Sequence, residues 1–113
     1  MSTELQLLVL RCRTLHDSVE FYGRLGLHFI EECHGSGPVH YSCSVGKVLL
    51  ELYPADDSSD VDSKTRLGFS VADPHLLFAE IGEELIVSAV QQSEWGDRGI
   101  LRDPDGRRVE IYG

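Results

Sequence analysis

The sequence predicts an α+β fold of two tandem βαβββ modules that curl a mixed sheet around a central cup, with the helices outside. Three observations carry this expectation. Strand-like and helical runs follow one another in the same order twice, once in each half of the chain. The last strand of each half reads alike, KVLLELYP at 47–54 and RRVEIYG at 107–113. Glu51 and Glu110 lie 110 − 51 = 59 positions apart, and the same offset carries Leu7 onto Arg66. A half-domain repeated in tandem is pseudo-symmetric, and strands paired by that symmetry can face each other across one cavity. A carboxylate planted in such a strand must be answered by something polar or cationic inside it.

The elements follow in order. LQLLVLRC (5–12) reads as a buried strand. Thr14 is a good N-cap for a helix with Asp17 in its first turn and apolar positions at Leu15, Val19, Phe21, Tyr22 and Leu25, and Gly26 is placed to end it. LHFIEEC (27–33) reads as a strand, GSGP (35–38) as a turn and VHYSCSV (39–45) as an alternating strand. Gly46 and Lys47 turn the chain tightly into VLLELY (48–53). The polar run ADDSSDVDSK (55–64) then reads as an acidic, mobile linker.

The second half repeats the series. TRLGFSV (65–71) is a strand, and Asp73-Pro74 supplies a cap and a first-turn proline for the helix HLLFAEIG (75–82). ELIVSAVQ (84–91) is a strand, SEWGDRG (93–99) a loop and ILR (100–102) a short strand. DPDG (103–106) has the proline and glycine of a tight turn into RRVEIY (107–112). The expected organisation is one domain over 1–113, with modules at about 5–54 and 65–112 joined by the linker 55–64.

Composition removes several classes of function. At 113 residues, 42% hydrophobic and 26% charged, the chain has the makeup of a soluble globular domain. No apolar run is long enough to span a bilayer, and the N-terminal residues lack the basic start of a secretion signal. A cytoplasmic location is expected. A net charge of −9 argues against nucleic acid, and the two lysines, Lys47 and Lys64, stand far apart. That acidity can steer a cationic ligand, or serve solubility alone. Cys12, Cys33 and Cys43 have neither metal-site nor disulfide-framework spacing.

The element order, with LRCRTLHDSVEFYGRLGL (10–27), LLELYP (49–54), SVADP (70–74) and DPDGRRVEIY (103–112), resembles the vicinal oxygen chelate superfamily, the glyoxalase/bleomycin-resistance/dioxygenase proteins. The likeness covers essentially the whole chain. It implies a homodimer, a small-molecule ligand in the cup, and, in metal-dependent relatives, a divalent cation held by one residue from each of four strands. Carried over, Glu51 and Glu110 match two of those positions. Leu7 and Arg66 stand at the other two, and neither a hydrocarbon nor a guanidinium has a lone pair to give. No metal and no cofactor are therefore expected.

Strand parity sorts the candidate site residues. Arg11, Glu51, Tyr53, Arg66, Glu110 and Tyr112 point inward, and Cys12, Leu67, Phe69, Val71, Val109 and Ile111 point under the helices. Arg66 can act as a cationic fork for Glu51 and Glu110; alternatively one glutamate stays free to bind a basic ligand or act as a base. Arg11 matches an arginine that meets a ligand carboxylate in some relatives, or pairs with an acidic side chain of its own. Trp95 resembles the W-G loop of the bleomycin-resistance branch, where an aromatic can stack on a flat ligand, or else plugs a loop base. None of the five histidines has the local spacing of a metal motif. Two functions fit: a metal-free protein binding a cationic or aromatic molecule, and a metal-dependent lyase, isomerase or dioxygenase of the glyoxalase type.

Overall fold

The computed structural model describes residues 1–113, which divide into two units, Met1–Asp62 and Ser63–Gly113. In the first, β1 (Leu7–Cys12), α1 (Leu15–Arg24), β2 (Ile30–Glu32), β3 (His40–Val45) and β4 (Val48–Pro54) form a four-stranded sheet in the order β1-β4-β3-β2. β1 runs parallel to β4, and β3 is antiparallel to both β4 and β2. In the second unit, β5 (Leu67–Ser70), α2 (Pro74–Glu80), β6 (Ile86–Ser93), β7 (Gly96–Arg102) and β8 (Arg108–Tyr112) repeat that plan as β5-β8-β7-β6. The βαβββ order is present twice, in two separate mixed sheets.

Each sheet buries one face under its own helix. α1 packs on β4 and buries Ser18, Phe21 and Tyr22, three positions at helical spacing. Beneath them lie Leu10, Cys12, Leu50 and Leu52, the alternate residues of β1 and β4. Thr14 is the extended N-cap, although its hydroxyl makes no capping bond. Gly26 ends the helix with φ +95°, a conformation that costs a side-chain-bearing residue a backbone clash. In the second unit Leu67, Val109, Ile111 and Leu101 are buried, with α2 packed against β6 and β7. Asp73 caps α2 by accepting from the Leu76 N–H at 3.1 Å. Gly99 is where the packing is closest: a methyl there would lie 2.6 Å from the Phe78 ring.

The DPDG turn is built around a buried cation. Asp103 Oδ1 accepts from the backbone N–H groups of Asp105 and Arg107, each at 2.9 Å. The Arg107 guanidinium donates to Asp103 at 3.1 Å and to Asp105 at 3.4 Å, with all three side chains at most 1% exposed. Gly106 takes φ +89° beside them.

Three expectations needed correction. The second strand is only Ile30–Glu32, because pairing with β3 stops at Glu32↔His40. There the chain turns, with the Gly37 N–H donating to the His34 carbonyl. The segment 93–99 is not a loop: β6 runs to Ser93 and β7 starts at Gly96. Ser93 Oγ donates to the Gly96 carbonyl and accepts from the Trp95 N–H, and Gly96 adopts φ +102°, so two residues suffice for the turn. Within 55–64, Ser58–Asp60 forms a 3-10 turn with a reciprocal cap between Asp57 and Asp60. Bonds from the Ser59 backbone and hydroxyl hold the Asp57 carboxyl below its ordinary pKa.

Candidate functional site

The faces not covered by a helix carry the functional side chains. In the first unit the register places Leu7, Val9 and Arg11 of β1 beside Leu49, Glu51 and Tyr53 of β4. Ser44, Ser42 and His40 of β3, then Ile30 and Glu32 of β2, continue the same face. Leu7, Val9 and Leu49 stay 51, 37 and 38% exposed, so this is an apolar surface open to solvent. Beside it runs a row of stacked groups. The Arg11 guanidinium lies 4.9 Å from the Tyr53 ring centre, and the His40 ring lies parallel to Tyr53 at 4.2 Å. Tyr53 is thus flanked by β1 on one side and β3 on the other.

Glu51, with its side chain 16% exposed, has His40 Nε2 at 3.7 Å. The same nitrogen is 3.8 Å from Glu32, and His34 Nε2 is 3.8 Å from the other oxygen of Glu32. Ser42 Oγ donates a short hydrogen bond to Glu32.

In the second unit Arg66 donates to Glu110 at 3.1 Å, and Arg98 makes a short second bond to the same oxygen. Arg98's hydrogen bond, opposed by partial burial and helped by Arg66, holds Glu110 below the usual carboxylate range. The same bond to Glu110 raises the guanidinium pKa of Arg98. Tyr112 lies across Gly68, where a methyl would come within 3.1 Å of its ring, and Arg98 sits 5.9 Å from the ring centre. Ser63, Lys64, Arg66, Arg102, Gly106 and Arg108 line a recess of about 380 Å³ whose charged groups are all basic. A smaller recess of about 130 Å³ lies along β6 and β7, between Ser88, Gln91 and Arg98. Trp95 is at the tip of the β6–β7 hairpin and 85% exposed, so it does not plug a loop base.

The repeated plan and the turn chemistry point to one family. The glyoxalase/bleomycin resistance protein/dioxygenase superfamily profile matches residues 4–111. The chain belongs to that superfamily. Its fold is shared with TnmS3, an antibiotic-binding protein from Streptomyces sp. CB03234, at 16% identity and TM-score 0.76 over 98% of this chain and 95% of that one. A bleomycin-binding protein solved in complex with bleomycin matches at 20% identity and TM-score 0.59 over 97% of each chain. A virulence protein of Salmonella typhimurium matches at 19% identity and TM-score 0.68 over 100% and 99%. No curated protein matches in sequence.

Metal-dependent members of the superfamily would place their cation at the positions of Leu7, Glu51, Arg66 and Glu110. The side chains here do not fit one. Leu7 offers no donor, Arg66 is a permanent cation, and Glu110 is already bonded by two guanidinium groups.

Sequence reasoning placed Glu110 with Arg66 but missed Arg98. The two hairpins before β4 and β8 differ in length, so a fixed offset of 59 does not map β3 onto β7. Register does: His40 pairs with Tyr53 across β3 and β4 as Arg98 pairs with Tyr112 across β7 and β8. Each glutamate therefore has a nitrogen-bearing neighbour one strand away within its own unit. Glu32 and His34 were also missed, because what unites them with His40 is hairpin pairing, not local spacing.

Proposed function

We propose that this glyoxalase/bleomycin-resistance-type protein binds a small organic molecule with a cationic or aromatic group on its uncovered sheet faces. No metal at the superfamily's four ligand positions takes part. The observation that carries this reading is the open face of β1 and β4. There Leu7, Val9 and Leu49 remain exposed beside the half-buried Glu51 and Tyr53. Exposed apolar area rimmed by placed polar groups is the usual character of a ligand surface.

The charges assign the ends of the ligand. Glu110 is bonded by Arg66 and Arg98, so it has little left for a cationic ligand. Glu51 has only the imidazole of His40 for a neighbour in its unit, so it is the carboxylate for a ligand ammonium or amidine. A net charge of −9 assists the approach of such a ligand. Tyr53 is flanked by Arg11 and His40, so it shapes the surface of the first unit, and in the second unit the exposed ring of Trp95 offers a face for stacking. Antibiotic binding by TnmS3 and by the bleomycin-binding protein supports the ligand class at the level of the fold. The reading includes a cytoplasmic homodimer; no helix is long and apolar enough to cross a membrane.

A thermal-shift and calorimetric screen against cationic aromatic compounds, bleomycin included, tests it. A hit should weaken at least tenfold in Glu51→Gln. A screen with no hit, alongside turnover that depends on an added metal, would favour the enzyme of glyoxalase type.

A further inference from the structure

We infer that the β2–β3 hairpin carries a divalent transition-metal site built from Glu32, His34 and His40, away from the superfamily's ligand positions. One donor atom from each of these three residues lies within 4.8 Å of the other two. His40 is the deciding residue. It is 2% exposed, and its Nε2 is buried with no hydrogen-bond partner. A buried nitrogen left so is destabilising unless something satisfies it.

The tautomer is already set. Nδ1 of His40 lies 3.2 Å from the Pro38 carbonyl, and a carbonyl only accepts, so Nδ1 carries the proton. Nε2 is then free to present its lone pair, as in metal-bound histidines whose other nitrogen donates to a backbone oxygen. Stacking on Tyr53 at 6° between planes fixes the ring's direction. The second carboxylate of this corner, Glu51, faces the same Nε2 at 3.7 Å.

The Nε2-to-oxygen distances of 3.7 and 3.8 Å are too long for hydrogen bonds. The two 3.8 Å contacts of Glu32 exceed by about half an ångström the ~3.3 Å between neighbouring ligands of a tetrahedral zinc ion, and the three donors, within 4.8 Å of one another, would draw together on binding. Glu32 is held by Ser42 Oγ, which orients a ligating carboxylate as outer partners of metal sites do. His34 lies two residues past the end of β2, its side chain 75% exposed, so an ion can enter from solvent on that side. Two imidazoles and a carboxylate select zinc, nickel, cobalt or copper over magnesium or calcium. The 2+ charge would also balance the Glu32 carboxylate beside His40.

This site rests on hairpin geometry, independent of the organic ligand, so either reading can fail alone. Calorimetry of chelator-stripped, full-length protein with zinc chloride tests it, with cobalt chloride as a spectroscopic probe. One equivalent of zinc should bind, and cobalt should give the visible absorption of a tetrahedral nitrogen–oxygen site. Affinity should fall at least tenfold in Glu32→Gln and in His34→Ala, whose exposed side chain leaves folding intact. His16→Ala, an exposed histidine in α1, should match the wild type. No stoichiometric binding, or binding unchanged in both Glu32→Gln and His34→Ala, overturns the proposal.

Discussion

Replacing Arg107 with methionine should destabilise the second unit far more than any surface charge removal. The guanidinium is 1% exposed and sits between the carboxylates of Asp103 and Asp105, which are 0 and 1% exposed. Methionine preserves most of the side-chain volume, so the loss is electrostatic rather than a cavity. Two buried carboxylates would lose the Arg107 cation, and breaking a buried pair in this way costs about 3–5 kcal/mol. The backbone bonds to Asp103 Oδ1 would survive, which keeps the turn from dissolving outright. Domains of this size are stable by about 5–15 kcal/mol, so the variant should lose about a fifth of its margin or more. Urea denaturation at pH 7, followed by circular dichroism, measures the change. Arg24→Ala is the comparison: its pair with Glu20 is exposed by 46 and 55% and is worth about 0.3–0.5 kcal/mol. Adding Asp105→Asn to Arg107→Met should recover stability by removing one stranded charge. A loss below about 1 kcal/mol in Arg107→Met, or no recovery in the double variant, would refute the account of a buried charge cluster.

Gly99→Ala would place a methyl 2.6 and 2.7 Å from two Phe78 ring atoms and 3.2 Å from Val90. The expected cost is about 1–3 kcal/mol by denaturation, with partial rescue when Phe78→Leu is added. Glu110 has a folded pKa below its ordinary 4.5, because Arg98 and Arg66 favour the charged form. Its contribution is therefore full above that ordinary value and is lost as pH falls through the lower, folded one. Melting temperatures taken from pH 7 to pH 3 should show wild type above Glu110→Gln at neutral pH, with the gap closing in acid. A gap that stays constant across that range would contradict the ion-pair assignment.

Local periodicity made the elements legible. The alternation in RRVEIY is a one-residue rule, and it assigned Val109 and Ile111 to the buried face where they lie. Gly26 and Asp73-Pro74 marked helix ends because caps and left-handed glycines are decided by their own backbone. The 93–99 segment was misread for a related reason. Polar Asp97 and Arg98 look like loop residues, yet they stand on a strand, with Arg98 on the face opposite Gly99 and Leu101.

By itself the amino-acid order determined the α+β plan and its duplication, since both follow from identity and spacing along the chain, and its motifs carried the resemblance to the family. Only the tertiary structure decided which groups meet. Arg98 reaches Glu110 and His40 nears Glu32 and Glu51 because strand register brings them together, and register depends on hairpin length and on which neighbours pair. The unpartnered nitrogen of His40 has the same origin: burial comes from packing in three dimensions, and no pattern of letters records it.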